Sequence, residues 1–246
     1  SGSFRPYVES LSGKRDPETY MRVFTLDPNN KIPIQFFSHG DPYKFKNFKL
    51  CSIITPQLDT WQFLRGLGLR PAVPFSEQTL ANYIFSILSE LGLNPTYDTY
   101  GNIVARYRNQ SSDSTQPPIA FVAHMDHPGF EIVESNNSVA VAQALGGVPV
   151  SCLSAPARVL VLLPDGRRIS AETRPIAEGV RSRTVQIPLP DNIPLTYPTP
   201  VVFDLQEFLL DGDLLRMRAL DDLAGCATIL SAIERLMHNK IKTDVF

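Results

Sequence analysis

Ile119-Ala-Phe-Val-Ala-His-Met-Asp-His-Pro-Gly-Phe130 is the stretch on which the reading of this chain turns. Ile119 to Ala123 are apolar without alternation, which predicts a strand buried on both faces, as in a parallel sheet with helices above and below. Open α/β sheets bind ligands at the carboxyl ends of such strands. His124 stands at that end. Asp126, two residues on, points to the same side of an extended chain, close enough to brace the imidazole. Pro128-Gly129 then turns the chain, and the glycine lets backbone pass close to whatever His124 holds. Taken alone, the pair also has a plain reading, as a hydrogen-bonded histidine at a strand end and a turn aspartate.

Working outward, Arg218-Ala-Leu-Asp-Asp-Leu-Ala-Gly-Cys226 sets two adjacent acids at the start of a helical pattern whose apolar positions include Ile229, Ile233, Leu236 and Met237. An aspartate before a helix accepts orphan backbone N–H bonds, which explains one of Asp221 and Asp222 as a cap without any chemistry. It does not explain both. A carboxylate has two oxygens and can bridge two cations, so a histidine and an aspartate from separate strand ends are natural parts of a two-metal hydrolytic site.

The two motifs together resemble the dinuclear-zinc aminopeptidases of the tetrahedral and glutamyl aminopeptidase type, over about residues 64–246, with H-M-D-x-x-G-F at His124 to Phe130 and A-L-D-D-x-A-G-C at Ala219 to Cys226. The resemblance implies an α/β fold: a zinc-peptidase-like mixed sheet with flanking helices, interrupted by an inserted all-β, barrel-like subdomain. It implies two divalent ions, zinc foremost and cobalt or manganese as alternatives, and peptides as substrates. By the same resemblance His124 binds one zinc, Asp126 is the catalytic-site residue that supports it, Asp221 bridges both metals, and the Asp221–Asp222 peptide is cis. Two positions depart from the pattern: His127 stands where the family usually has an acid, and Leu223 where it often has arginine. His127 is expected to be a surface turn residue without a metal role. The remaining ligands and the water-activating carboxylate follow the second motif in that family, starting with a glutamate pair on the next strand. Here the sequence stops at Lys242-Thr-Asp-Val-Phe246, so a fragment truncated at its C-terminus is expected, one that cannot hydrolyse peptides alone. Glu234 and His238 read as a solvated helix face.

Composition narrows the classes. A chain of 246 residues, 43% hydrophobic, buries a sizeable core, and its formal net charge of −2 without a basic stripe argues against nucleic acid or anionic membrane as partner. No apolar run reaches membrane-spanning length. Cys51, Cys152 and Cys226 are odd in number and far apart, which fits a reducing, cytoplasmic setting and excludes a cysteine-only zinc site. Cys226 is expected to pack, not react.

Residues 1–50 differ in character. Turn clusters at Arg15-Asp-Pro-Glu18, Asp27-Pro-Asn-Asn30 and Gly40-Asp-Pro-Tyr43 surround strand candidates at 22–26 and 32–37. Asp16-Pro-Glu-Thr19 and Ile32 to Phe45 resemble the extracytoplasmic segment of oligopeptide ABC-transporter permeases. The expected organisation is therefore a loop-rich, permease-like segment at 1–50, a partial catalytic α/β domain at 51–134 and 215–246, and a β insert at 135–214. Within the α/β part a helix is predicted over Leu80 to Leu91, with Ser76 as cap and Gly92 as stop, followed by strands at 97–100 and 103–107. Within the insert, strands are predicted at 139–145, 158–163, 168–172, 185–188 and 201–205, with Pro164-Asp-Gly166 as a hairpin turn. By resemblance the insert mediates homo-oligomer assembly and substrate access. The rival functions are a peptide-transporter permease component, defined by the first segment, and a peptidase-like domain without catalysis.

Overall fold

Thr60–Gly68 (α1), Gln78–Glu90 (α2) and Leu220–His238 (α4) are amphipathic segments that share one core. The computed structural model describes residues 60–109, 117–136, 138–177 and 182–246. The permease-like segment and its strand candidates lie outside these residues. In α2 the face Leu80, Ile84, Ile87 and Leu88 is buried, and Gly92 at φ +83 ends the helix in the left-handed conformation that glycine adopts without steric cost. The start differs from the expectation. Glu77, not Ser76, occupies the cap position and makes no side-chain cap bond, because its carboxylate reaches back to accept the Phe75 N–H at 2.8 Å. Helix α4 sets Leu223, Cys226, Ala227, Leu230 and Ile233 into the core that takes Phe63, Leu64 and Leu67 from α1. Each fully buried leucine contributes about 1.5–3 kcal/mol. Ser231 donates to Thr60 Oγ1 at 2.9 Å, fixing the two helices in register.

Thr96–Tyr97 (β1) and Ile103–Val104 (β2) form a hairpin around Asp98, whose carboxylate accepts from Tyr100 and Asn102. The strand predicted at 103–107 is split: Tyr107–Arg108 (β3) leaves the hairpin and pairs antiparallel with Asp244–Val245 (β13). On the other side of β13 runs the 119–123 segment, in parallel, with Ile119 N–H to Asp244 O at 3.0 Å, Phe121 N–H to Phe246 O at 3.0 Å and Phe246 N–H to Ile119 O at 2.9 Å. The sheet is thus mixed, but the segment is not buried on both faces as its composition predicts. Val122 is 88% exposed and Ile119 46%. Phe121, Ala123 and Met125 are half-buried, the last two against the helical core, while Ala120, Val122 and His124 face out. One face is covered and the other open, so burial alternates where the apolar pattern does not.

Between the two motifs lies a seven-stranded antiparallel sheet. Its strands are Gly129–Asn136 (β4), Val139–Leu145 (β5), Arg158–Leu162 (β6), Arg168–Glu172 (β7), Arg174–Pro175 (β8), Thr184–Pro188 (β9) and Thr199–Phe203 (β10), in the order β7-β6-β10-β4-β5-β9-β8. The strands expected from the sequence match β5, β6, β7, β9 and β10 within two residues, whereas β4 and the two-residue β8 are not among them. The sheet curls until its two edges are consecutive stretches of chain: only Thr173 separates β7 from β8, fully buried, its N–H on Ala157 O and its hydroxyl accepting the Ala157 N–H. Phe130, Ile132, Ala140, Ala142, Val159, Val161, Val185, Ile187 and Val201 fill the inside. The short helix Val150–Ser154 (α3) contributes Leu153 to this core, and Pro164-Asp-Gly166 forms the expected hairpin turn with Gly166 at φ +85. A hairpin that periodicity did not reveal, Leu209–Asp211 (β11) with Leu214–Arg216 (β12), returns the chain to α4.

Candidate metal centre

The first motif is held where the helical core meets the curled sheet. His127 N–H donates to Ala72 O at 2.9 Å, and Ala72 N–H donates to His127 Nε2 at 3.3 Å. Gly129 begins β4 under compulsion of space. A Cβ there would stand 2.4 Å from Val73 Cγ1 and 2.6 Å from Val201 O, so only glycine admits the crossing. The second motif enters α4 through Ala219 at φ +60, and Asp221 and Asp222, joined by a cis peptide, have non-helical backbone. The two motifs touch directly: Cys226 Sγ–H donates to His124 O at 3.4 Å. Burial pushes that thiol up to about 12, consistent with a packing cysteine.

The structure brings His124, Asp126 and Asp221 together. His124 Nε2 lies 3.2 Å from Asp221 Oδ1, across 97 residues of sequence. On the other side of the ring, Nδ1 donates to Asp126 O at 3.0 Å and stands 3.4 Å from the Asp126 carboxylate. The Asp126 and Asp221 carboxylates together raise the imidazole to about 10, and the ring in turn holds Asp126 below the ordinary carboxylate range. Asp222 plays a different part. It is buried, its Oδ1 accepts the Gly225 N–H at 3.0 Å, and burial raises its pKa. It is the cap, and Asp221 is the outward-facing member of the pair. Gly225 makes room for it, since a Cβ would meet Asp222 Oδ1 at 2.2 Å.

Two ligands about 2.0–2.1 Å from a tetrahedral zinc stand roughly 3.3 Å apart. The His124 Nε2 to Asp221 Oδ1 separation fits two corners of such a site. A histidine ligand ordinarily gives its second nitrogen to a carboxylate or carbonyl, as His124 gives Nδ1 to Asp126. Among the described residues, no group of three or more His, Cys, Asp or Glu is arranged to hold a metal ion. The donors present therefore match part of a coordination shell.

Three neighbours of the site were misread or missed in the sequence. His127 is not a surface residue: it is 4% exposed, because both its backbone and its Nε2 are taken by Ala72. Its Nδ1–H donates to Pro128 O at 3.1 Å, and burial, with Arg218 nearby, pushes its pKa down to about 4. Arg218 is 2% exposed and donates to Gly68 O and Phe203 O, with Glu207 Oε1 at 3.5 Å. That buried guanidinium ties α1 and β10 to the entry of the second motif. Glu77 lies near enough to Asp126 for their charges to interact, and its own burial raises its pKa. Nothing in residue periodicity distinguishes these three from surface polar residues.

At the level of sequence neither a family model nor a curated relative matches the chain. Solved structures do. An aminopeptidase from the archaeon Desulfurococcus kamchatkensis superposes with a TM-score of 0.62 at 20% identity over 76% of this chain and 54% of that one. The Pyrococcus horikoshii TET1 peptidase, which can assemble into a tetrahedron or a large octahedral shell, gives 0.59 at 19% identity over 76% and 59%. A protein from Thermotoga maritima described as an endoglucanase gives 0.58 at 20% over 74% and 56%. The chain has the fold these proteins share, and it spans a little over half the length of each. Among the described residues no helix is long and apolar enough to cross a membrane.

Proposed function

We propose that this chain belongs to a metal-dependent aminopeptidase, in which His124 and Asp221 hold zinc and Asp126 orients His124. The observation that carries this reading is the 3.2 Å convergence of His124 Nε2 and Asp221 Oδ1 from two distant motifs, with Asp126 on the opposite ring nitrogen. A carboxylate can bridge two ions, so Asp221 is the residue proposed to reach a second divalent ion, and cobalt or manganese would suit the same hard and borderline donors. When bound, zinc polarises a carbonyl and brings the pKa of water near neutrality. The contribution of the chain's own residues is geometric. Asp126 fixes the tautomer and tilt of the imidazole, Asp222 caps α4 so that Asp221 faces outward, and Gly129 and Gly225 permit the close packing that sets both motifs at one point. Peptides are the proposed substrates, cleaved at their N-terminal residue, in the cytoplasm. Self-association through the curled sheet is the proposed assembly mode, in keeping with the Pyrococcus horikoshii TET1 peptidase of this fold, which can assemble into a tetrahedron or a large octahedral shell.

A second reading has its own support: a peptidase-like domain without catalysis, favoured by the absence of a third converging ligand among the described residues. Zinc binding separates the two. The aminopeptidase reading expects zinc binding, measured by titration calorimetry at a concentration high enough for a partial shell, that is lost in His124→Ala and in Asp221→Ala with the fold intact by circular dichroism. Zinc binding that is absent in the wild type, or equal in the wild type and both variants, refutes this assignment of ligands.

A further inference from the structure

The stretch Gly68-Leu-Arg-Pro-Ala72, which runs on from the last residue of α1, touches both motifs. On one side Ala72 is paired to His127, soon after His124 in the chain, through two hydrogen bonds. On the other, the Arg218 guanidinium, just ahead of Asp221, donates to Gly68 O at 3.3 Å. The approach to Gly68 is close: a Cβ there would stand 2.5 Å from Glu207 O and 3.0 Å from Met217 Cε, so glycine lets the chain entering the second motif lie against the end of the helix. The stretch is itself braced. Pro71 fixes its own φ, and Arg70 donates to Gly66 O at 2.6 Å with its guanidinium 3.6 Å over the Tyr83 ring. Two motifs distant in sequence are thus fastened to one short bracket.

Arg218 is buried, and its N–H donates to Gln206 O. Its guanidinium also reaches Phe203 O and the Glu207 carboxylate, each at 3.5 Å; Arg168 from β7 shares that carboxylate and donates to Leu69 O at 2.8 Å. The next residue, Ala219, stands at φ +60, a left-handed conformation that alanine rarely adopts, and from that turn Asp221 is directed at His124 Nε2. Stability does not call for an arginine here. Burying a guanidinium is costly, and an apolar side chain of similar volume commonly holds such a crossing as well. A planar fork does what an apolar side chain cannot, since its donors fix the carbonyls of two elements in distance and angle.

We propose that Arg218 is a positioning residue: by fastening the left-handed turn at Ala219 to the 68–72 bracket, it sets the separation of Asp221 and His124 that a shared divalent ion requires. The proposal rests on the metal-dependent reading of the site. Arg218 acts through Asp221 alone, because a guanidinium is a permanent cation with no lone pair to give a metal.

The test is the zinc affinity of the full chain by titration calorimetry, for the wild type, Arg218→Met, Arg218→Lys and Leu67→Ala, each checked for fold by circular dichroism. Leu67 is the control: it is fully buried beside Gly68, and its truncation loosens the helical core without removing a bond of Arg218. Arg218→Met is expected to weaken zinc binding about tenfold, Arg218→Lys, a point charge without the fork, about threefold, and Leu67→Ala by less than about twofold. Should Arg218→Met fail to fold, the lysine variant against Leu67→Ala decides the matter. Affinity within about twofold of the wild type in the folded Arg218 variants, or an equal loss in Leu67→Ala, overturns the positioning role and leaves the metal reading standing. Wild-type zinc binding that is absent, or unaffected by His124→Ala, overturns both.

Discussion

His127 makes stability depend on pH in a calculable way. Its imidazole is neutral in the fold, accepting from Ala72 N–H through Nε2 and donating to Pro128 O through Nδ1, and burial with a nearby guanidinium moves its pKa from 6.5 to about 4. In the unfolded chain it titrates normally. Between pH 6.5 and about 4 the unfolded state therefore binds more protons than the folded one, so stability rises with pH through that window and is lost as pH falls through it. At about 1.4 kcal/mol per pH unit, the loss between pH 7.5 and 4.5 comes to about 2.5 kcal/mol. Other groups titrate over the same range, so the informative quantity is the difference between the wild type and His127→Gln, whose amide oxygen can still accept the Ala72 N–H but takes no proton. Urea unfolding of both proteins at pH 7.5, 6.5, 5.5 and 4.5 measures it, with far-UV dichroism and the fluorescence of the single tryptophan, Trp61, as independent probes. The wild type is expected to lose about 2.5 kcal/mol more than the variant on acidification. Parallel losses, within about 0.5 kcal/mol, would show that His127 is not buried neutral and would refute its placement against Ala72.

Further outcomes are expected from the same geometry. Asp126→Asn keeps the shape beside His124 but removes the charge, and should weaken zinc binding by about 10–100-fold in a chelator competition while leaving the unfolding midpoint nearly unchanged. Gly129→Ala forces a methyl against Val73 and the Val201 carbonyl, one of them immovable backbone, and should cost about 3 kcal/mol in urea unfolding. Leu67→Ala empties a fully buried position between the helices and should cost about 2–5 kcal/mol by the same measurement. Retention of full stability by either variant would mean that the helical core or the strand crossing is not packed as described.

Much of the fold was legible because its signals are local. The α2 stripe from Leu80 to Leu88 announces its period, and Val139–Leu145, Arg158–Leu162 and Arg168–Glu172 are bounded by turn residues that mark their ends within a residue or two. The two halves of the candidate centre were legible for the same reason, since each is a short motif. What failed was the reading of exposure around the first motif. Ile119 to Ala123 carry the composition of a doubly covered strand, yet Val122 is open to solvent, while His127, a polar residue before a Pro-Gly turn, is buried. Exposure depends on which distant segment arrives as a neighbour, and no window of sequence contains that segment. Ser76 failed as a cap through competition, because Glu77 one position later reaches the same turn with a longer side chain.

Residue type and spacing alone were enough for helix α2, for five of the seven strands of the curled sheet, and for naming His124, Asp126 and Asp221 as candidate ligands and orienter. It took the three-dimensional packing to bring Nε2 of His124 within 3.2 Å of Asp221, to turn Asp222 inward as a cap, and to bury Arg218 and His127. Those are relations between residues far apart in the chain, fixed by packing of the helical core against the curled sheet, and packing is a property of the whole fold.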